Sequence, residues 1–191
     1  MRAVPACGHV AGVYARSDDR VGVFKAPANE ELLGLVDLEF DVPTVVQDRL
    51  NPEGINCLRA FPGRGLRVWG ARTLSSDADW RYVNVRRVCL TLVRWIERNM
   101  AWAAFEPNGP RLWNRITREL DGYLGRLLQQ GALKGASAAE AYFVKCDAEI
   151  NPAEERDTGR VTTLIGLAPA TPGEFVVVRI VQREGAASLS T

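Results

Sequence analysis

The stretch VWGARTLSSDADWRYVNVRR (Val68–Arg87) links an apolar β-like run to a long amphipathic one. On its upstream side, NCLRAF and LRVWGAR flank PGRG, and apolar runs around a Pro-Gly turn predict a β-hairpin. On its downstream side, Val85, Val88, Leu92 and Ile96 recur at helical spacing, with Cys89, Val93 and Trp95 widening the stripe. That pattern predicts a core helix from Asp79 to Met100. A hairpin feeding a long helix through one polar junction sets the class of the fold as α+β.

The rest of the chain fits that class. PACGHVAGVYARSDD predicts a short helix from about Pro5 to Ser17. LVDLEFDV alternates Leu38, Phe40 and Val42 with Asp37, Glu39 and Asp41, which predicts a half-buried strand with an acidic face. PTVVQDRL reads as a short helix closed by the turn NPEGIN. After EPNGP, the stripe Leu112, Ile116, Leu120, Leu124 and Leu127 predicts a second long helix that stops at GALKG. AYFVKCDAEI, RVTTLIGLAP and EFVVVRIVQ are β-rich runs separated by NPAEERDTG and ATPG. The expected architecture is a small mixed β-sheet packed with two long helices.

The 191 residues are enough to bury a sizeable core, and 47% hydrophobic with 25% charged content describes an ordinary globular chain. No apolar run is long enough to span a bilayer, and no basic head with a continuous apolar stretch marks a secretion signal. The net charge of +1 conceals an asymmetry: −4 over Met1–Ile55, +8 over Asn56–Lys134 and −3 over the remainder. Only Lys25, Lys134 and Lys145 are lysines, so nearly all the positive charge is arginine, whose planar fork suits interface ion pairs. A basic middle between acidic flanks predicts a polarised surface that attracts acidic partners or other copies.

Chemistry is sparse. Cys7, Cys57, Cys89 and Cys146 are scattered among apolar neighbours with no CxxC pair, which argues against zinc and predicts buried reduced thiols in a cytoplasmic product. His9 is the single histidine, and the reading favours a packing or helix-surface role over a catalytic one. Asp18-Asp19 and Glu30-Glu31 lie in turn-like sequence and are expected to be solvated. Asp37, Glu39 and Asp41 on one flat strand face would make a poor cation cage. Neither GRG nor GHVAG has the ending of a phosphate loop. The expectation is no catalytic residue, no metal site and no cofactor.

Arginine placement says more. Arg111, Arg115, Arg118 and Arg126 fall roughly on one face of the second long helix, and Arg87, Arg94 and Arg98 repeat the pattern on the first. A solvated helix face accounts for both, and an electrostatic docking face is the functional alternative. Nucleic acid is one possible partner, since neutralising its phosphates needs clustered arginine. However, aromatics are not interleaved as a stacking platform requires, and no helix-turn-helix or zinc-finger spacing occurs. The closing run GEFVVVRIVQRE is apolar on both alternating faces over Phe175–Val178, which suits a buried central strand or a strand that pairs with another chain.

Several segments together carry a resemblance: PACGHVAGVYARSDDRVGVFKAPANEEL, LNPEGINCLRAFPGRGLRVWGARTLSSDADWRYVNVRR, FEPNGPRLWNRI, GALKG, YFVKCD and LAPATPGEFVVVRIVQ. In this order they closely resemble the C-terminal domain of contractile phage tail sheath proteins, a domain shared with R-type pyocins. The most specific part is WGARTL followed by WRYVNVRR, which makes Gly70, Ala71, Arg72, Thr73, Leu74, Trp80, Arg81 and Tyr82 a family signature. Arg72 and Thr73 are expected to pin the turn, Trp80 and Tyr82 to pack the helix start, and Asp77 and Asp79 to sit at its amides.

The resemblance implies a structural subunit, not an enzyme, that polymerises around a tail tube by exchanging β-strands and contracts to drive the tube through an envelope. It implies a place in a virion tail sheath or contractile particle assembled in the bacterial cytoplasm. The implied partners are other copies, the tube, the baseplate and the tail terminator, without nucleic acid or membrane insertion. The competing reading is an arginine-rich nucleic-acid-binding module. On the family pattern, Phe175, Val176, Val177, Val178, Arg179, Ile180 and Val181 form the exchanging strand, and Arg111, Arg115, Arg118 and Arg126 are expected to face the tube. Residues 1–191 correspond to the core, inner domain. Family members carry an N-terminal arm and outer domains before the GHVAG region, so these are expected to be absent here. The isolated chain is then expected to be a monomer or small oligomer with an incompletely paired sheet edge.

Overall fold

The computed structural model describes residues 3–174, 179–183 and 186–190. Helix α1 (Cys7–Arg20) leads to a two-residue strand β1 (Glu30–Glu31), helix α2 (Thr44–Leu50) and the hairpin β2 (Cys57–Phe61) and β3 (Gly65–Trp69). The long helices α3 (Val83–Asn99) and α4 (Pro110–Gln129) follow. The chain then runs through α5 (Ala138–Ala141), β4 (Tyr142–Lys145), α6 (Ala153–Asp157) and β5 (Leu164–Leu167), and ends with β6 (Arg179–Arg183) and β7 (Ala186–Ser190).

The α+β class holds, but the strands do not share one mixed sheet. They form three antiparallel units, β1-β3-β2, β4-β5 and β6-β7. The expected hairpin is present in the register Cys57↔Trp69 to Phe61↔Gly65. The strand expected at LVDLEFDV is absent, and Val36 and Phe40 are each 75% exposed. Alternation alone cannot make a strand unless a partner strand lies alongside to complete the hydrogen bonds. Both edges of β3 are already taken, by β2 and by β1 through Glu30↔Val68. Conversely, NPAEERDTG contains α6, a single turn that a polar linker reading passes over.

Two separate apolar cores result. Val13 of α1, Leu32 and Val68 of β3 are buried together, with Tyr14, Leu58 and Leu66 packed around them. The larger core joins Leu92 of α3 to Leu112, Trp113, Ile116, Leu120 and Leu124 of α4, together with Cys146 beyond β4. Leu124 is completely buried, because the 3.6-residue period sets it one turn beyond Leu120 on the stripe under β4. Pro110 opens α4, where a missing N–H costs nothing. Its end is fixed by Gly131 and Ala132, whose amides return to Leu128 and Leu127 carbonyls. Trp95 and Tyr123 stack at 4.3 Å between the two helices.

The single helix expected from Asp79 is two pieces. Asp77 accepts a hydrogen bond from the Asp79 amide and starts a short 3₁₀ turn at Ala78–Trp80. Tyr82 is extended, and α3 starts only at Val83. Tyr82 is unavailable for the helix because it forms an isolated antiparallel bridge with Arg72.

Candidate functional site

The junction that joins β3 to α3 is held by a set of polar bonds. The Thr73 amide donates to the Arg81 carbonyl at 2.7 Å, and the Val83 amide donates to Ala71 at 2.9 Å. Thr73 Oγ1 donates to the Trp80 carbonyl at 2.6 Å. Asn56 brackets Arg72, accepting from its amide at 2.8 Å and donating to its carbonyl at 2.7 Å. Gly70 makes room for that bracket: a Cβ there would lie 2.5 Å from Asn56 Oδ1. Trp80 lies under the Arg86 guanidinium at 4.7 Å. Leu74, by contrast, is 82% exposed, so the side chain at this signature position is not part of the packed junction.

The Arg72 side chain turns toward Glu174, 102 residues away. Its Nε lies 3.0 and 3.1 Å from the two carboxylate oxygens, and Nη2 is 2.5 Å from Oε2. Nη1 donates to the Asn51 carbonyl at 3.1 Å, and the Tyr82 hydroxyl reaches Glu174 at 3.4 Å. Both charged side chains are largely covered, at 14% and 16% exposure. Hydrogen bonding to Glu174, partly offset by burial, holds the Arg72 pKa above the usual guanidinium range. Sequence reasoning placed Arg72 in a turn but could not find Glu174, because only the fold brings the two together.

Arg111, Arg115, Arg118 and Arg126 are all exposed, on the side of α4 away from the Leu120–Leu124 stripe. They are not equivalent. Arg115 stacks on Trp102 with its guanidinium 3.6 Å from the ring centroid and sits 3.4 Å from Glu119. Arg126 lies 5.9 Å from the Tyr123 ring centroid. Arg111 and Arg118 have no ion pair among the described residues. On α3, Arg94 and Arg98 are exposed, whereas Arg87 pairs with Asp18 of α1.

Of the C-terminal run, Phe175, Val176, Val177 and Val178 lie outside the described residues. Arg179, Ile180 and Val181 belong to β6, which pairs with β7 in the register Arg179↔Ser190, Ile180↔Leu189 and Val181↔Ser188. No third strand joins that hairpin among the described residues.

Two acidic expectations are corrected. Glu30 is 6% exposed and accepts from Arg20 at 2.6 Å and Lys25 at 2.7 Å, so it is a paired, buried charge. Burial works to raise its pKa, but the two cations outweigh burial and the net shift is downward. Asp18 is likewise engaged, by Arg87. Cys7 is exposed at the start of α1, so not every thiol is buried; Cys57, Cys89 and Cys146 are covered, and burial raises their pKa. His9 is half-buried on α1, beside an open hollow with Val4, Gly12 and Leu33. Among the described residues, no three His, Cys, Asp or Glu side chains come together as a metal cluster. No described helix is long and apolar enough to cross a membrane.

Residues 75–183 match the phage tail sheath C-terminal domain family, and residues 1–74 match the phage tail sheath protein central domain. The chain therefore belongs to the phage tail sheath family, which is structural and not enzymatic. The change from one pattern to the other falls at Leu74–Ser75, inside the bonded junction and between the two cores. The chain is 26% identical over 177 residues to a prophage major tail sheath protein of Pseudomonas aeruginosa (strain UCBPP-PA14), covering 91% of this chain and 44% of that protein. It is 26% identical to the tail sheath protein of Enterobacteria phage T4, covering 94% of this chain and 27% of that protein.

Among solved structures, a chain of the anti-feeding prophage helical sheath in the contracted state is 42% identical with a TM-score of 0.87. The likeness covers 94% of this chain and 51% of that one. A chain of the sheath complex of an extracellular contractile injection system, also contracted, is 41% identical with a TM-score of 0.87, covering 91% and 50%. This chain thus spans about half the length of those sheath chains, and less of the curated relatives.

Proposed function

We propose that this chain is the inner, core part of a contractile sheath subunit, polymerising around a tail tube through β-strand exchange and contracting to drive the tube through a target envelope. The observation that carries this reading is the likeness to contracted sheath chains over nine-tenths of the sequence at about 42% identity. The structure adds a physical reason. Strands β4 and β5 pair only with each other among the described strands, and the α4 core covers the sheet beneath them. A strand from another copy can extend either edge by main-chain hydrogen bonds. The C-terminal run Phe175–Val181 is the strand this chain lends in return.

The tube lies against the exposed arginines of α4. Arg111 and Arg118 are the strongest candidates there, because Arg115 is already committed to Trp102 and Glu119. Such contacts are screened by salt and so can let go when the sheath moves. The remaining partners are the baseplate and tail terminator proteins, in a particle assembled in the bacterial cytoplasm. Co-expression with a full-length sheath relative, followed by electron microscopy, tests the reading. Wild-type chain is expected in tubular assemblies, and Val177→Pro is expected to be excluded, since proline removes a ladder donor. Equal incorporation of Val177→Pro would refute strand exchange.

A further inference from the structure

The segment leading into β6 is held in an uneven way. The Ala170 amide donates to Ala132 at 2.9 Å, and Asn84 Nδ2 donates to the Ala170 carbonyl at 2.9 Å. From Thr171 to Gly173 no further backbone hydrogen bond occurs among the described residues, and Pro172 has no N–H to offer. The next fastening is the Glu174 side chain on Arg72, beyond which the C-terminal strands begin.

We propose that Arg72 and Glu174 form the fastening through which the C-terminal strands are tied to the folded core, so that a pull on β6 is delivered into the hairpin-to-helix junction. This rests on the reading of those strands as a segment lent to another copy. Three features suit the pair to that task. The guanidinium grips the carboxylate with two nitrogens and Asn51 with the third, which fixes direction as well as distance. The Arg72 backbone is itself held on both sides by Asn56 and bridged to Tyr82, so the grip does not end on a loose loop. Both charges are largely shielded from salt that would weaken an exposed pair.

Without the grip, the last fixed point retreats by four residues to Ala170, adding about 13 Å of slack to the lent strand. A slack root lowers the effective concentration of the strand at its acceptor and lets neighbouring copies slide before tension is passed on. The pair also joins the two family regions, with Arg72 in residues 1–74 and Glu174 in residues 75–183.

Hydrogen exchange of the isolated chain tests the fastening without any assembly. E174Q keeps the shape and removes the charge, and R72K keeps the charge and removes the fork. Both are expected to exchange about tenfold faster over residues 179–183, whose amides are held by the β6–β7 pairing, with α4 and β4–β5 unchanged. Unchanged exchange over 179–183 would overturn the proposal. So would an equal loss of protection across α4, which would mark an ordinary stabilising ion pair.

Co-sedimentation with a full-length sheath relative separates this idea from strand exchange. Exclusion of V177P together with about tenfold reduced entry of E174Q supports the fastening. Exclusion of V177P with normal entry of E174Q overturns it. Normal entry of V177P refutes strand exchange, and the hydrogen-exchange result then decides the fastening alone.

Discussion

Replacing Gly54 by alanine tests the close packing of the junction. Gly54 closes the turn after α2 with a φ of 77°, and a Cβ there would lie 2.2 Å from the Thr73 carbonyl oxygen. That oxygen is backbone, and it belongs to the residue whose amide and hydroxyl hold Arg81 and Trp80. The new methyl therefore cannot be accommodated by rotating a side chain. Gly63, in the β2–β3 turn, is the control: its φ is 69°, and a methyl added there would meet nothing within 4 Å.

Alanine in this left-handed backbone costs about 1 kcal/mol at either site. At Gly54, overpacking and disturbance of a neighbouring hydrogen bond add about 2 kcal/mol more. For a chain of this size, about 2–4 °C of melting temperature accompanies each kcal/mol. Gly54→Ala is then expected to lower Tm by roughly 6–12 °C, and Gly63→Ala by roughly 2–4 °C. Thermal melts followed by circular dichroism read both. Equal shifts would show that residues 54 and 73 do not approach as described.

Leu124→Ala, at a fully buried site, is expected to cost about 2–5 kcal/mol in a denaturant titration. Glu30 has a depressed pKa, so its contribution is present above the ordinary value of 4.5 and is lost as pH falls through the lowered one. The stability gap between wild type and Glu30→Gln should accordingly shrink toward zero in acid, as measured by urea unfolding across pH. A maleimide reagent should modify Cys7 well before the three covered thiols, and mass spectrometry of early time points reads the order. Charge reversal at Arg111 and Arg118 should weaken tube attachment and flatten its salt dependence while leaving sheath-to-sheath contact intact, as followed by co-sedimentation with tube protein.

Periodicity made the local elements legible. The PGRG hairpin, the α4 stripe from Leu112 to Leu124 and its stop at GALKG all follow from side-chain pattern and turn chemistry. The strand expected at residues 35–42 fails because alternation carries no information about whether a partner strand lies alongside, and in the fold it is Glu30–Glu31 that pairs with β3. The break at Tyr82 was hidden for a related reason: helical spacing continues through it, but a bridge to Arg72 competes with the helix. The partners of Glu30 and Glu174 were illegible because Glu30 sits in an acidic pair that reads as solvated and Glu174 meets an arginine 102 residues away. Arg72 was legible as part of a signature, while its role as one half of a long-range pair needed the fold.

Helices α3 and α4 contain neither lysine nor histidine, so every cation on their outer faces is a guanidinium. Such charge persists at any physiological acidity and is invisible to acetylating enzymes. Amine-reactive cross-linkers will therefore miss contacts made by either helix, and reagents selective for arginine are the ones to choose for mapping them.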